Sequence, residues 1–240
     1  MDSKIIKVNK TAFGVKLARM NARLQLSWYF DKVFIQFPEA KLNTSQPLII
    51  AINHSGWLDT AVSLFLVEDV LKRDYYMMAA IGTVKEHQFM RKFGVFGMDK
   101  DDIFSVSQGV RYAAALLQER AERCLVMFPQ GDWMRSTKRP LRILPGTAQV
   151  ARFVKHVTVV PVAFYYDIFL KKRPEVYIRI GEPMTFKGDV PPTNQLTEMI
   201  RQGIERELDA VQANVYENRL ETFEIALRNF KYRFRESQND

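Results

Sequence analysis

The sequence is poor in the residues that cross-link a chain or hold a metal. It has one cysteine, Cys124, among 240 residues, which excludes an intramolecular disulfide and is typical of a reducing compartment. Its three histidines and this cysteine lack ligand spacing, so we predict that the protein holds no metal. The glycine-rich signatures of nucleotide sites are missing, and no Gly-x-Ser-x-Gly motif indicates a serine nucleophile.

Long apolar runs are missing as well. No stretch approaches the roughly 20 apolar residues that a bilayer-spanning helix needs. Residues 1–10 have no apolar core of signal-peptide length. We therefore expect a cytoplasmic protein whose contact with a membrane is peripheral and on the inner face.

The chain is instead rich in apolar and basic residues. Hydrophobic residues make up 47% of it, enough to bury a sizeable core. Lys and Arg number 35 against 27 Asp and Glu, a formal net charge of +8. This surplus indicates an anionic partner, such as nucleic acid, an acidic membrane surface or a phosphorylated substrate, although a soluble basic surface explains it equally well.

Short β-favouring runs alternate with helical periodicity through the middle of the chain. This alternation predicts an α/β fold with a mostly parallel sheet flanked by helices. Predicted strands lie at 46–53, 75–81, 94–99, 123–128, 157–166 and 175–184. Predicted helices lie at 58–72, 84–93, 103–122 and 146–156. Pro161 indicates that its strand is at an edge of the sheet or carries a bulge.

Helical patterns flank this region on both sides. Residues 12–37 resemble an amphipathic helix whose basic stripe, Lys16, Arg19 and Arg23, either lies on anionic lipid or belongs to a helix packed on the body. A second helical pattern covers 194–235. We therefore divide the chain into an N-terminal amphipathic helical segment (1–44), an α/β domain (45–190) and a C-terminal helical tail (191–240).

The end of the tail, residues 227–237, interleaves basic and aromatic side chains. Such a segment can bind nucleic acid through stacking and phosphate contacts, or lie on anionic lipid, or pack on the body of the protein. We favour an anionic membrane surface or packing over nucleic acid.

The stretch AINHSGWLD places an imidazole and a carboxylate around a strand–helix junction. His54 would lie in the loop after the strand, and Asp59 in the first turn of the next helix. Ligands bind at the carboxyl ends of strands in open α/β sheets. A carboxylate bonded to one imidazole nitrogen fixes the tautomer and leaves the other nitrogen as a general base. We therefore predict that this pair deprotonates a hydroxyl, and we favour a substrate hydroxyl over Ser55.

Three further motifs follow in a fixed order. The four motifs are Asn53-His54-x4-Asp59, then GVFGMDK from Gly94 to Lys100, then FPQG from Phe128 to Gly131, then Val160-Pro161-Val162. With these motifs the chain resembles the glycerolphosphate and lysophospholipid acyltransferases over roughly residues 45–190.

The resemblance implies transfer of an acyl group from acyl-CoA or acyl carrier protein to the hydroxyl of a lipid acceptor. The acceptor would be lysophosphatidic acid, another lysophospholipid, or a non-phosphate lipid or sugar hydroxyl. His54 would be the general base and Asp59 its orienting partner, with no acyl-enzyme and no cofactor beyond the donor. Substrate binding would fall to Asn53, Lys100, Phe128, Pro129, Gln130, Gly131 and Arg135.

Two motifs depart from the family pattern at the acceptor side. Lys100 stands where the family has an arginine that holds the acceptor phosphate, and lysine lacks the bidentate fork. In FPQGDWMRS, Gln130 replaces glutamate, and Asp132, whose charge would repel a phosphate, replaces threonine. Arg135 follows two places later than the family's arginine. The resemblance therefore implies acyl transfer and leaves the acceptor open.

Two other functions stay open at this point. One is a non-catalytic basic protein that binds membrane or nucleic acid on a degenerate acyltransferase fold. The altered third motif favours it, and the intact Asn-His-x4-Asp motif argues against it. The other is an acyl-thioester hydrolase, which needs only water in place of the acceptor.

Overall fold

The structure is a computed structural model that describes residues 5–42, 45–168 and 172–229. Its strands are β1 (Ile5–Ile6), β2 (Lys32–Gln36), β3 (Leu48–Ile52), β4 (Asp74–Ala80), β5 (Val95–Met98), β6 (Arg123–Met127), β7 (His156–Asp167), β8 (Glu175–Ile180), β9 (Met184–Lys187) and β10 (Glu224–Arg228). Its helices are α1 (Ala12–Tyr29), α2 (Asp59–Leu64), α3 (Ile81–Glu86), α4 (Ile103–Glu119), α5 (Gly146–Val154) and α6 (Thr193–Tyr216). A π-helical segment (Phe65–Val70) continues α2, and a 3-10 helix (Gln88–Phe93) follows α3.

The strands form one sheet in the order β1-β5-β4-β6-β3-β7-β8-β2-β10, with β9 also pairing with β7. The five neighbours from β5 to β7 are parallel, and the apolar run of β3 is buried along its whole length, as expected of a central parallel strand. Helices α1 and α2 cover one face, and α4, α5 and α6 cover the other. The predicted α/β fold with a mostly parallel sheet is confirmed.

The register of β3 brings three of the motifs together near the carboxyl ends of adjacent parallel strands. Ala51 lies opposite Met127 of β6 on one side and Pro161 of β7 on the other. Parallel strands end on the same side, so the loops after β3 and β6 leave the sheet side by side. The residues that follow these strands can therefore meet although they are far apart in the sequence.

The two flanking segments are less helical than predicted. The helix predicted over 12–37 ends at Tyr29, and β2 follows because Val33, Phe34 and Ile35 are buried against the sheet. The helix predicted to about 235 ends at Tyr216, and β10 then pairs antiparallel with β2. Both segments therefore add strands to the sheet of the central region. Residues 230–240, most of the basic and aromatic segment 227–237, lie outside the described residues.

Of the two alternatives predicted for Pro161, the edge strand is wrong, because β7 is an interior strand with neighbours on both sides. The bulge is confirmed, because the antiparallel register shifts by one residue between the β9 and β8 pairings. Pro161 lies between Val159, the last residue paired with β9, and Val162, the first paired with β8. Its carbonyl accepts a hydrogen bond from the N–H of Gly181 on this same side. The missing N–H of proline therefore falls at the junction of two partner strands, where no ladder bond needs it.

Helix α1 is fixed to the body by a buried carboxylate. Arg19 Nη2 lies 2.5 Å from Asp69 Oδ1, and Arg23 Nε lies 2.9 Å from Asp69 Oδ2. Burial raises the pKa of the Asp69 carboxyl, but hydrogen bonds from Arg23 and Arg19 outweigh it, so this pKa lies below its usual range. Two of the three cations in the predicted basic stripe therefore share one buried carboxylate, which neutralises one of their two charges. Among the described residues, no helix combines the length and the apolarity needed to cross a bilayer.

We expect Asp69→Asn to lower the free energy of unfolding at pH 7 by about 1–2 kcal/mol, because both arginines lose a charged partner but remain half-exposed to water. The wild-type carboxylate has a lowered pKa when folded, so its stabilisation is complete above its unfolded pKa of about 4 and is lost as the pH falls through the folded pKa. The difference in free energy of unfolding between wild type and Asp69→Asn should therefore disappear at acidic pH.

Urea unfolding from pH 7 down to pH 3 measures this difference. Asp189→Asn, at an exposed carboxylate, is the control and should match the wild type throughout. Equal unfolding midpoints for Asp69→Asn and wild type at pH 7 would contradict the assignment.

Candidate active site

The loop after β3 is tied to β7 by Asn53. Its Nδ2 donates to the carbonyl of Phe164 at 2.9 Å, and its Oδ1 accepts from the N–H of Phe164 at 2.7 Å. Asn53 is 1% exposed. Its amide is buried and both of its ends bond the backbone of β7, so its contacts in the structure are those of a residue that positions the loop. Its role in substrate binding stays a prediction.

His54 and Asp59 form a hydrogen-bonded pair where β3 passes into α2. His54 Nδ1 lies 2.7 Å from Asp59 Oδ2, which also accepts from the N–H groups of Ser55 at 2.7 Å and Gly56 at 2.9 Å. A carboxylate only accepts, so Nδ1 carries the proton and Nε2 is the basic nitrogen. The side chain of Asp59 is fully buried, whereas that of His54 is 20% exposed. The predicted pair is thus assembled with the imidazole towards the outside.

Tyr166 is a site residue that the sequence analysis did not identify. Its hydroxyl donates to Asp59 Oδ1 at 2.5 Å, and its ring stacks on Phe30. Burial and the charge of Asp59 raise the pKa of this phenol well above its usual value, so it stays protonated as a donor. It lies two residues after Phe164, on the same face of β7 because side chains alternate along a strand.

The third motif is built around the backbone and ring of His54. Gln130 Oε1 accepts from the N–H of His54 at 2.6 Å, and the N–H of Met134 donates to the carbonyl of His54 at 2.8 Å. The ring of Phe128 stacks on the imidazole with centroids 4.3 Å apart. Gln130 is 3% exposed, and its side-chain oxygen holds the loop of His54. Its role in substrate binding stays a prediction.

Gly131 closes the turn of this motif. Its N–H donates to the carbonyl of Phe128 at 3.0 Å, and its φ is +75°, a left-handed conformation that favours glycine. An added Cβ would lie 2.7 Å from Leu144 Cδ1. A side chain at this position would therefore strain the turn and press on the segment before α5.

A cavity of about 930 Å³ lies over the carboxyl ends of these strands. It runs from α1 and α2 on one face of the sheet to α4 and α5 on the other. The predicted site residues in its wall are His54, Lys100, Phe128, Pro129 and Gly131. Its apolar lining includes Ala18, Ala22, Trp57, Ala61, Leu64, Met77, Phe89, Met90, Phe93, Met98, Val106, Val110, Met127 and Leu144. Arg135 is exposed on the loop and does not belong to this wall.

Lys100 and Asp132 face each other in the wall of the cavity. Lys100 Nζ lies 2.5 Å from Asp132 Oδ1, and both side chains are exposed. Their hydrogen bond raises the pKa of Lys100 and lowers the pKa of Asp132, so both groups are charged at neutral pH. Asp132 therefore neutralises the cation that was predicted to bind a phosphate.

The remaining reactive side chains give no competing centre. Cys124 is fully buried in β6, and burial raises the pKa of its thiol to about 12. His87 lines the cavity, and His156 is exposed at the start of β7. In the described part of the chain, no three His, Cys, Asp or Glu side chains are grouped so that they could hold a metal ion.

Known proteins resemble this chain in sequence pattern and in fold. The crystal structure of the 1-acyl-sn-glycerophosphate (LPA) acyltransferase PlsC from Thermotoga maritima has a similar fold, with a TM-score of 0.61 and 17% sequence identity over 83% of this chain and 80% of that chain. No curated protein matches the sequence. The model of the family described as Acyltransferase matches residues 33–165, just over half of the 240 residues. The chain therefore belongs to the acyltransferase family, as the order of its motifs predicted.

Proposed function

We propose that this protein transfers a fatty acyl group from an acyl thioester, acyl-CoA or acyl carrier protein, to the hydroxyl of a lipid acceptor. The acceptor is a lysophospholipid such as lysophosphatidic acid, or a lipid or sugar without phosphate. The observation that carries the proposal is the His54–Asp59 pair, 2.7 Å apart, in the wall of a large and mainly apolar cavity.

In this mechanism His54 Nε2 accepts the proton of the acceptor hydroxyl as its oxygen attacks the thioester carbonyl. The new C–O bond forms, the C–S bond breaks, and the proton passes from the imidazolium to the leaving thiolate. Asp59 stabilises the imidazolium and fixes the tautomer, and Tyr166 holds Asp59 in place. No acyl-enzyme forms, and the donor thioester is the only cosubstrate.

The proposal predicts that His54→Ala abolishes turnover without unfolding the protein. Loss of a general base typically lowers the rate by about 10²–10⁴-fold. Free-thiol release from oleoyl-CoA, with and without lysophosphatidic acid, measures it. His156→Ala, at an exposed histidine, is the matched control and should keep full activity.

Turnover that persists in a folded His54→Ala protein would refute this mechanism. Thiol release by the wild type that needs no acceptor would instead identify a thioester hydrolase. Binding without any turnover on acyl-CoA or acyl carrier protein thioesters would favour a non-catalytic protein.

The ion pair of Lys100 with Asp132 bears on the choice of acceptor. Asp132→Thr, which installs the family's residue, should free Lys100 and lower the KM for lysophosphatidic acid by about three- to tenfold. The KM for the uncharged acceptor 1-monoacylglycerol should stay unchanged. Adding Lys100→Ala to Asp132→Thr should cancel the decrease in the KM for lysophosphatidic acid. An unchanged KM for lysophosphatidic acid in Asp132→Thr would show that Lys100 does not bind the phosphate.

We also propose that the outer face of α1 lies on a membrane. Four of its apolar side chains are about half-exposed or more and follow a seven-four-four spacing that places them on one stripe: Phe13 (73%), Met20 (54%), Leu24 (47%) and Trp28 (68%). The side of the same helix next to this stripe contributes Asn21 and Gln25 to the cavity wall. A helix embedded in the lipid interface would therefore put the cavity beside the lipids that supply the substrate.

The double variant Phe13→Ser, Trp28→Ser should reduce binding to vesicles of equal parts phosphatidylcholine and phosphatidylglycerol by on the order of tenfold, because less apolar area enters the interface. Co-sedimentation measures this binding. Tyr216→Ser removes an aromatic side chain that is 91% exposed on α6 and should leave binding unchanged. Equal losses in the two proteins would contradict a specific role for α1.

A further inference from the structure

Helix α5 begins at the cavity without a side-chain cap. Its first residues, Gly146 and Thr147, line the cavity together with Leu144. Pro145, the residue before the helix, supplies no capping hydrogen bond, whereas Thr11 caps α1. The first N–H of this turn that reaches a backbone carbonyl is that of Gln149, which donates to Pro145 at 2.9 Å. The first N–H groups of α5 therefore have no partner in the described part of the chain, and the helix start presents the positive end of its dipole.

The side chain of Thr147 is an independent observation at the same place. It is 0% exposed, and its Oγ1 has no hydrogen-bond partner among the described residues. A buried hydroxyl without a partner is unfavourable, and most buried polar groups are satisfied. Thr147 lines the cavity at the helix start. A ligand oxygen that approached its hydroxyl would give it a partner and would bond the N–H groups beside it.

The charges nearby favour an anion. Arg142 lies four residues before the helix and is close enough to act electrostatically on both Lys100 and Asp132. These three side chains sum to one positive charge. A helix start with free N–H groups binds phosphate groups in many proteins, and low exposure to water strengthens that attraction.

We propose that the start of α5, with Thr147 and its backbone N–H groups, is the subsite for the phosphate of the acyl acceptor's head group. This inference rests on the proposed function. The α1 and α2 end of the cavity is lined mainly by apolar side chains and suits the acyl chain of the thioester donor. The α5 end offers hydrogen-bond donors for the head group of the acceptor. The two substrates would thus approach His54 from opposite faces of the sheet.

Thr147→Val tests the subsite because it keeps the shape of the side chain and removes only the hydroxyl. We expect the Tm of the ligand-free variant to rise, since an unpaired buried hydroxyl is gone. The increase in Tm that sn-glycerol 3-phosphate gives the wild type should fall by at least half in this variant. Thr147→Ser, which keeps the hydroxyl, should retain the wild-type response.

The matched control is Thr197→Val in α6, where the hydroxyl donates to the carbonyl of Thr193 at 2.6 Å. Its ligand-free Tm should not rise, and its response to sn-glycerol 3-phosphate should equal that of the wild type. In turnover, Thr147→Val should raise the KM for lysophosphatidic acid about tenfold and leave the KM for oleoyl-CoA unchanged.

Three results would overturn the subsite. They are an undiminished response of Thr147→Val to sn-glycerol 3-phosphate, an equal response of the wild type to glycerol, and a response of the wild type to coenzyme A that Thr147→Val also halves, which would assign the anion at α5 to the donor. These binding measurements need no turnover. They therefore separate a failure of the subsite from a failure of the proposed function, which would appear as activity in His54→Ala.

Discussion

The buried carboxylate of Asp59 is the constraint around which the site is organised. Its side chain has no exposed surface, so its charge is tolerable only with hydrogen-bond donors around it. Those donors come from two parts of the chain: the loop 54–56, through the ring of His54 and the N–H groups of Ser55 and Gly56, and β7, through the hydroxyl of Tyr166. Satisfying one carboxylate therefore fixes the loop, the imidazole and the neighbouring strand at once.

The backbone around His54 is likewise held by hydrogen bonds from neighbouring strands. Asn53 binds the loop to Phe164 of β7, and Gln130 binds the N–H of His54 to the turn after β6. The ring of Phe128 supports the imidazole from one side. The reactive ring is thus held by the ends of three adjacent parallel strands before any substrate arrives, which is what positional catalysis requires.

The sequence was informative where the signal is local. The apolar run of β3 and the His54–Asp59 spacing indicated a site at a strand end, and both features are present. Contacts between distant segments had no local signal: Asn53 meets Phe164 across 111 positions and Asp59 meets Tyr166 across 107. The contacts by which Asn53 and Gln130 position the loop of His54 could not be predicted for this reason. The strand β2 was not predicted because its buried residues continue the apolar spacing of α1, so the sequence alone indicates one longer helix. Only pairing with β8 and β10 shows that these residues form a strand.

The distribution of charge shapes how substrates can be recognised. The chain carries a surplus of +8, yet cations near the cavity are largely paired, Lys100 with Asp132, and Arg19 and Arg23 with Asp69. Lys100 is the one lysine or arginine among the described residues of the cavity wall. An acceptor phosphate therefore meets a nearly balanced ion pair rather than an arginine fork. In the proposed function its recognition would depend on backbone dipoles, on the nearby charge of Arg142 or on displacing Asp132, and an acceptor without phosphate would need none of these.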